Sequence, residues 1–308
     1  MTNDFTSDEL ALYKAYAICR SIARREAKNF YYAFIALPTR RRNAICAIYA
    51  FMRRADDLAD DESFSTADRR THLDAWLAEW RAVCEGAQTA DPVFLAVRDA
   101  TTRFAIPLSL LEELVAGVSM DLDRADTGAP DTYATFADLY RYCYLVASVV
   151  GLVCIRIFGY KDARAEKFAE ETGIAFQLTN ILRDLAEDAE RNRVYLPLED
   201  LAAHNVSLDS LLHRVAGEPP TANERALLEA IAQRAEYYYR SAEALLPFID
   251  RESRPALQVL VAVYHALLKR IERADYDVFS RRAAVPLRQK LAILAVGLTR
   301  MIWARLFA

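Results

Sequence analysis

Two rows of polar side chains on apolar stretches raise the question of function. Between Tyr49 and Ser63 the chain reads YAFMRRADDLADDES, which crowds Asp56, Asp57, Asp60 and Asp61 onto the end of a run that begins AICAIYAF. On a helix, Tyr49, Arg53, Asp56 or Asp57, and Asp60 recur at spacings of three and four, so they share a face. Farther on, GIAFQLTNILRDLAEDAER carries Gln177, Asn180, Asp184 and Asp188 at spacings of three, four and four. Ile174, Phe176, Leu178, Ile181, Leu182 and Leu185 cover the rest of that helix, which is therefore buried nearly all round. Its carboxylates then point inward, where an unpaired charge costs on the order of several kcal/mol.

Something cationic must neutralise both rows. Arg53, Arg54 and Arg183 lie close in sequence. Oxygen-only rows without histidine or thiolate suit a hard ion such as Mg²⁺, which is seldom caged by protein alone and bridges to substrate phosphates. Two facing acidic rows around a diphosphate are the simplest reading. A solvated helix end accounts equally well for the first row taken alone. It does not account for an asparagine and two aspartates on the one polar stripe of an apolar helix.

The elements that must position these rows are helices. Only 8 glycines and 10 prolines occur in 308 residues, and most prolines stand between long runs with apolar spacing of three and four. The pattern predicts helices over 7–36, 40–60, 66–85, 92–104, 108–122, 135–158, 162–188, 222–246, 254–276 and 286–307, in a single domain spanning 1–308 without repeats. Hydrophobic residues make up 54% of the chain, enough for a large core. A net charge of −4 argues against nucleic acid as a partner, although TRRRN at Thr39–Asn43 is a local basic patch. Five cysteines in apolar runs, none in a CxxC pair, predict reduced core thiols in a cytoplasmic protein and no structural zinc. The N-terminus has no apolar core of a secretory signal, and no uninterrupted apolar run reaches the length of a membrane span.

At the acidic rows the sequence resembles the squalene/phytoene synthase family of head-to-head prenyl transferases. The likeness runs through AKNFYYAFIALPTRRRNAICAIYAFMRRADDLADD, YRYCYLVASVVGL, FQLTNILRDLAEDAERNRVYLPLEDL and YHALLKRIERADYDVFSRR. It implies an all-α isoprenoid-synthase bundle around a central apolar cavity, with the acidic rows at its mouth. Carried over by position, Asp56, Asp60, Asn180, Asp184 and Asp188 are implied metal ligands for two or three Mg²⁺ ions. Arg53, Arg183, Arg193 and Tyr264 match diphosphate-holding positions; Phe30, Tyr49 and Tyr142 match aromatics at the reaction centre. Ala147, Val150, Gly151 and Gly173 match the lining of a prenyl channel. The sequence departs from the family where a serine-rich SxSF is usual and Ala27, Lys28, Asn29 and Phe30 stand here. Lys28 keeps a cation there, and Asn29 offers an amide for diphosphate contact.

The implied reaction begins with loss of diphosphate from an allylic substrate, with Arg53 and Arg183 beside the leaving group and Phe30, Tyr49 and Tyr142 facing the carbocation. LVCIRIFGY points to the bacterial presqualene/squalene branch, and so to two farnesyl diphosphates as substrates. The alternative is phytoene synthesis from geranylgeranyl diphosphate. A catalytically dead member acting as a membrane assembly factor is a third reading, disfavoured by the retention of all five metal-ligand positions. Because the glycines never form GxGxxG, NADPH is not expected to serve the first step. The protein is expected to act as a monomer, with peripheral contact to the cytoplasmic face of a membrane through its C-terminal helix. There Leu294, Leu298, Ile302, Trp303 and Phe307 would enter the interface, and Lys290, Arg300 and Arg305 would meet head groups. The competing reading is a terminal helix packed on the core.

Overall fold

The computed structural model describes residues 6–125, 130–214 and 217–306, with the backbone alone at 28, 29, 121, 123–125 and 301–306. Helix starts follow local chemistry. The first helix, α1 (Ser7–Glu26), opens on a capping box: the Thr6 hydroxyl accepts from the Glu9 N–H, and the Glu9 carboxylate accepts from the Thr6 N–H. The single helix predicted over 7–36 is two. At Ala27 the chain tightens, the Phe30 N–H donating to the Ala27 carbonyl, and a separate helix, α2 (Lys28–Ile35), begins. Alanine is the best helix former, so packing and not propensity makes this break.

Behind Pro38, whose ring fixes a helix-compatible φ, α3 (Thr39–Asp60) runs for 22 residues and carries the first acidic row at its end. Ser65 caps α4 (Thr66–Cys84); Asp91, followed by a proline, caps α5 (Pro92–Phe104). Helix α6 (Leu108–Ala125) follows. Then α7 (Phe136–Cys143), a π-helical turn at Tyr144–Ser148 and α8 (Val149–Phe158) make one continuous rod, capped by Thr135. The rod is long and apolar enough to cross a membrane, with mean hydropathy 1.7, and in this fold it is a core element. It packs between α6 and α9 (Arg164–Glu190), the 27-residue helix with the second acidic row.

Two short helices that the apolar spacing did not reveal, α10 (Leu198–Ala203) and α11 (Leu208–Leu212), lead to α12 (Ala222–Leu245), which lies along α9. Helix α13 (Arg254–Arg273) lies on α2, and α14 (Leu287–Leu306) lies on α13. Among the described residues there is no β-strand; isolated bridges join Asp131 to Arg193 and Tyr160 to Ile249.

Two apolar cores result. One, around Phe51, Trp80 and Phe94, joins α3 to α1, α4 and α5; the other, around Leu178, Leu182 and Ile231, joins α9 to α12 and α13. The TRRRN patch belongs partly to the interior. Arg41 donates to the Phe158 carbonyl and the Ser253 hydroxyl, each at 2.5 Å, and to Asp250 at 2.7 Å, tying α3 to the ends of α8 and α13. All five cysteines are free, with Cys19, Cys46 and Cys143 buried.

Candidate active site

Two cavities flank the polar face of α3. The first, about 290 Å³, has Asp56, Asp60, Arg69, Arg191 and Arg193 at its polar end and Phe51, Met52, Leu114 and Val118 at its apolar end; Tyr142, Leu145 and Val146 also line it. The second, about 430 Å³, is lined by Glu26, Phe30, Tyr49, Asn180, Arg183, Tyr264, Arg282 and Lys290. The first row therefore opens on the first cavity through Asp56 and Asp60, the second row reaches the second cavity through Asn180 with Asp184 and Asp188 outside both linings, and the aromatics divide between the two cavities. Phe30 and Tyr49 face the second cavity with Tyr264, whose ring lies 5.3 Å from Phe30 and 4.4 Å from Phe176. Tyr142 faces the first, stacked on Tyr195 at 5.1 Å. The π-helical turn is what swings Leu145 and Val146 toward the first cavity; such bulges are common at functional sites.

The charges of the two rows are managed differently. In the first, Arg53 pairs with Asp57 at 2.5 Å, while Arg54 turns away to Asp91 at the start of α5. That leaves Asp56 without a guanidinium at hydrogen-bonding distance, and burial followed by the nearby Asp60 pushes its carboxyl up to about 6. In the second row, Asp184 is held twice. Arg183 donates to it at 2.7 Å, and Arg282, from the segment between α13 and α14, donates at 2.8 Å. Asp188 is lifted to about 7, chiefly by burial and then by Asp184, against the opposing pull of Arg193 and Arg191. Burial likewise drives the Tyr49 phenol up to about 12 and raises that of Tyr264.

Gln177 accepts from the Asn180 amide nitrogen at 3.2 Å. That contact sets the amide so that Asn180 Oδ1 is buried with no hydrogen-bond partner. An orphaned inward oxygen costs roughly 1–3 kcal/mol and calls for a ligand. A hard cation fits this donor set: the Asn180 oxygen, two carboxyls held above their usual range by burial and like charge, and neither thiolate nor imidazole. Among the described residues no three Asp, Glu, His or Cys side chains close into a ready metal cage.

Gly173 departs from the channel reading. A Cβ there would stand 2.5 Å from Ser148 Cα, so this glycine is small because α9 touches the π-helical turn, and it is buried in that contact. Gly151 likewise lies against the Ala169 carbonyl, 2.9 Å from where its Cβ would be. Ala147 and Val150 are half-buried on the same rod. The side chains of Lys28 and Asn29 lie outside the described residues. Sequence reasoning missed Glu26, Arg69, Arg191 and Arg282 at the cavity mouths. Arg191 alone carried a signal, standing three residues beyond Asp188 at the end of the second motif.

An all-helical bundle with acidic rows on two of its helices beside internal cavities is the architecture of isoprenoid synthases. The sequence pattern of the squalene/phytoene synthase family matches residues 23–289, and the chain belongs to that family. The 15-cis-phytoene synthase of Synechocystis sp. is 35% identical over 299 residues, covering 93% of this chain and 85% of that one. The phytoene synthase of Mycobacterium tuberculosis is 35% identical, covering 94% and 92%. A dehydrosqualene synthase solved with a ligand superposes with TM-score 0.82 at 29% identity, over 96% of this chain and all of that one. A squalene synthase of Alicyclobacillus acidocaldarius, HpnC, superposes with TM-score 0.76 at 26% identity, over 87% and 97%.

Proposed function

We propose that the protein condenses two farnesyl diphosphates head to head into presqualene diphosphate. The carrying observation is the closed floor of the first cavity. Phe51, fully buried, packs on Trp76, Trp80 and Phe94 with ring centroids 4.6, 5.2 and 6.5 Å away. From Asp60 back to Phe51 the wall of α3 is about 13 Å long. A farnesyl chain is of that order, whereas geranylgeranyl adds one more isoprene unit against an aromatic floor that does not yield without opening a cavity. A second reading, condensation of two geranylgeranyl diphosphates to phytoene, is favoured by the names of the curated relatives at 34–36% identity.

One substrate would lie in each cavity. Asp56 and Asp60 at the first, and Asn180 at the second with Asp184 and Asp188 beyond it along α9, would hold Mg²⁺ between chain and diphosphate. Bound there, the ions supply neutralisation of the charge that develops on the departing diphosphate. Arg53 and Arg183 would share that work, and Arg193 would orient the other diphosphate. Phe30 and Tyr49 present ring faces to the allylic carbocation, each worth roughly 0.5–2 kcal/mol, and the apolar walls exclude water. The C2–C3 double bond of the second substrate attacks C1 of the cation. Loss of a proton then closes the cyclopropane and leaves the second diphosphate in place. Burial raises the pKa of the Tyr264 phenol and so favours its protonated form.

Incubation with Mg²⁺ and each prenyl diphosphate in turn, with and without NADPH, with products identified by mass, tests the reading. Presqualene diphosphate formed from farnesyl diphosphate without NADPH is the expected result. Phytoene from geranylgeranyl diphosphate with farnesyl diphosphate untouched would overturn it.

A further inference from the structure

We propose that the outward face of α14 docks on an anionic bilayer surface. The helix is two-sided. Its inner side is core: Leu294 is buried, and at Gly297 a Cβ would stand 2.3 Å from Val259 Cγ2 on α13. The stripe expected from sequence, led by Leu294 and Leu298, is therefore not the exposed one, since Leu298 also packs on the core. The side chains of Ile302, Trp303 and Arg305, and Phe307 altogether, lie outside the described residues. The exposed stripe is instead Leu287, Leu291 and Val296, accessible to 59%, 49% and 51%, with exposed Ala292 and Ala295 between them. Leu287, Leu291 and Ala295 line up at i, i+4 and i+8, and Ala292 and Val296 form the neighbouring row, so together they cover the outward half of the helix. Large apolar side chains gathered on one face are unusual on a soluble surface, where they are normally scattered singly.

Charge selects the occupant. Beyond Asp277 the chain contains no Asp or Glu, yet it carries Arg281, Arg282, Arg288, Lys290, Arg300 and Arg305 in a protein whose net charge is −4. Arg288 and Arg300 stand at the two ends of the row Arg288, Ala292, Val296, Arg300, both exposed. An apolar stripe bracketed by arginines is the arrangement of a helix lying in a membrane interface, its cations on acidic head groups. A second copy of this chain meeting the same face about a twofold axis would set like charges against each other. Docking also has a use that does not depend on which prenyl chain is the substrate. Val285 and Lys290, at the start of α14, line the second cavity, so the docked face sets the mouth of that cavity at the bilayer.

Flotation with phosphatidylcholine vesicles, with and without phosphatidylglycerol, tests the proposal. The full chain should bind the anionic vesicles roughly tenfold more tightly, and added salt should weaken binding. The double variant Leu291→Glu, Val296→Glu should lose about tenfold in binding. Its melting temperature and its turnover of detergent-dispersed substrate should stay unchanged. Equal flotation of parent and variant would overturn the proposal. So would failure of the parent to float, or a dimer that the variant dissolves while neither protein binds vesicles.

Discussion

Asp188 carries a measurable consequence of burying the second acidic row. Its carboxyl rises from 3.8 to about 7, through burial first and Asp184 second. The folded protein therefore keeps a proton that the unfolded chain has released, and stability falls as pH rises from about 4 to about 7. Three pKa units correspond to about 4 kcal/mol at full effect. Asp188 stays partly open to water, so screening leaves on the order of half of that. Between pH 5 and pH 8 about 1–1.5 kcal/mol titrates, or about 1.5–2.5 °C in melting temperature for a chain of this size. Asp188→Asn removes the charge and keeps the shape. In EDTA the variant should melt above the parent at pH 8, and its advantage should widen by about 1.5–2.5 °C from pH 5 to pH 8 in scanning calorimetry. The attraction of Arg191 and Arg193 is also lost, but both arginines stay charged across this window, so they do not supply the slope. Added Mg²⁺ should raise the melting temperature of the parent more than that of the variant. An advantage that does not change with pH, or a variant that melts below the parent at pH 8, would refute the reasoning.

Two further substitutions probe the second row and its support. Arg282→Gln removes one of the two guanidinium partners of Asp184 at the cavity mouth. Steady-state kinetics should show a KM for the prenyl diphosphate raised about tenfold, with Arg282→Lys recovering part of the loss. Gly173→Ala forces a methyl to 2.5 Å from Ser148 Cα, so α9 and the π-helical turn must separate. Urea denaturation should show a loss of about 1–3 kcal/mol.

Helix positions were legible because apolar spacing is a local property, and α3, α5, α9 and α12 begin within a few residues of where the spacing puts them. The acidic rows were legible for the same reason: Asn180, Asp184 and Asp188 are one face of one helix whatever surrounds it. What sequence could not supply depends on partners distant along the chain. Ala27 is a poor place to break a helix, and only the packing of α2 on α13 makes it one. Arg282 lies 98 residues from Asp184, and no spacing rule connects them. Gly173 misled because one small residue serves two ends. It can widen a channel or let two backbones touch, and only the 2.5 Å approach to Ser148 decides between them.

The five acidic-row positions with implied metal roles are not interchangeable. Asp184 is neutralised by two guanidinium groups from opposite ends of the sequence, so a cation reaching it competes with arginine. Asp56 and Asp188 are neutralised in part by protons, and a cation reaching them releases those protons. Asn180 offers an oxygen that has neither. A divalent ion would therefore meet least resistance at Asn180 and gain pH dependence from Asp56 and Asp188. On reaching Asp184 it would free Arg183 and Arg282. Both guanidinium groups line the second cavity, where a diphosphate would need them, so filling the acidic row and charging the substrate site would be one event.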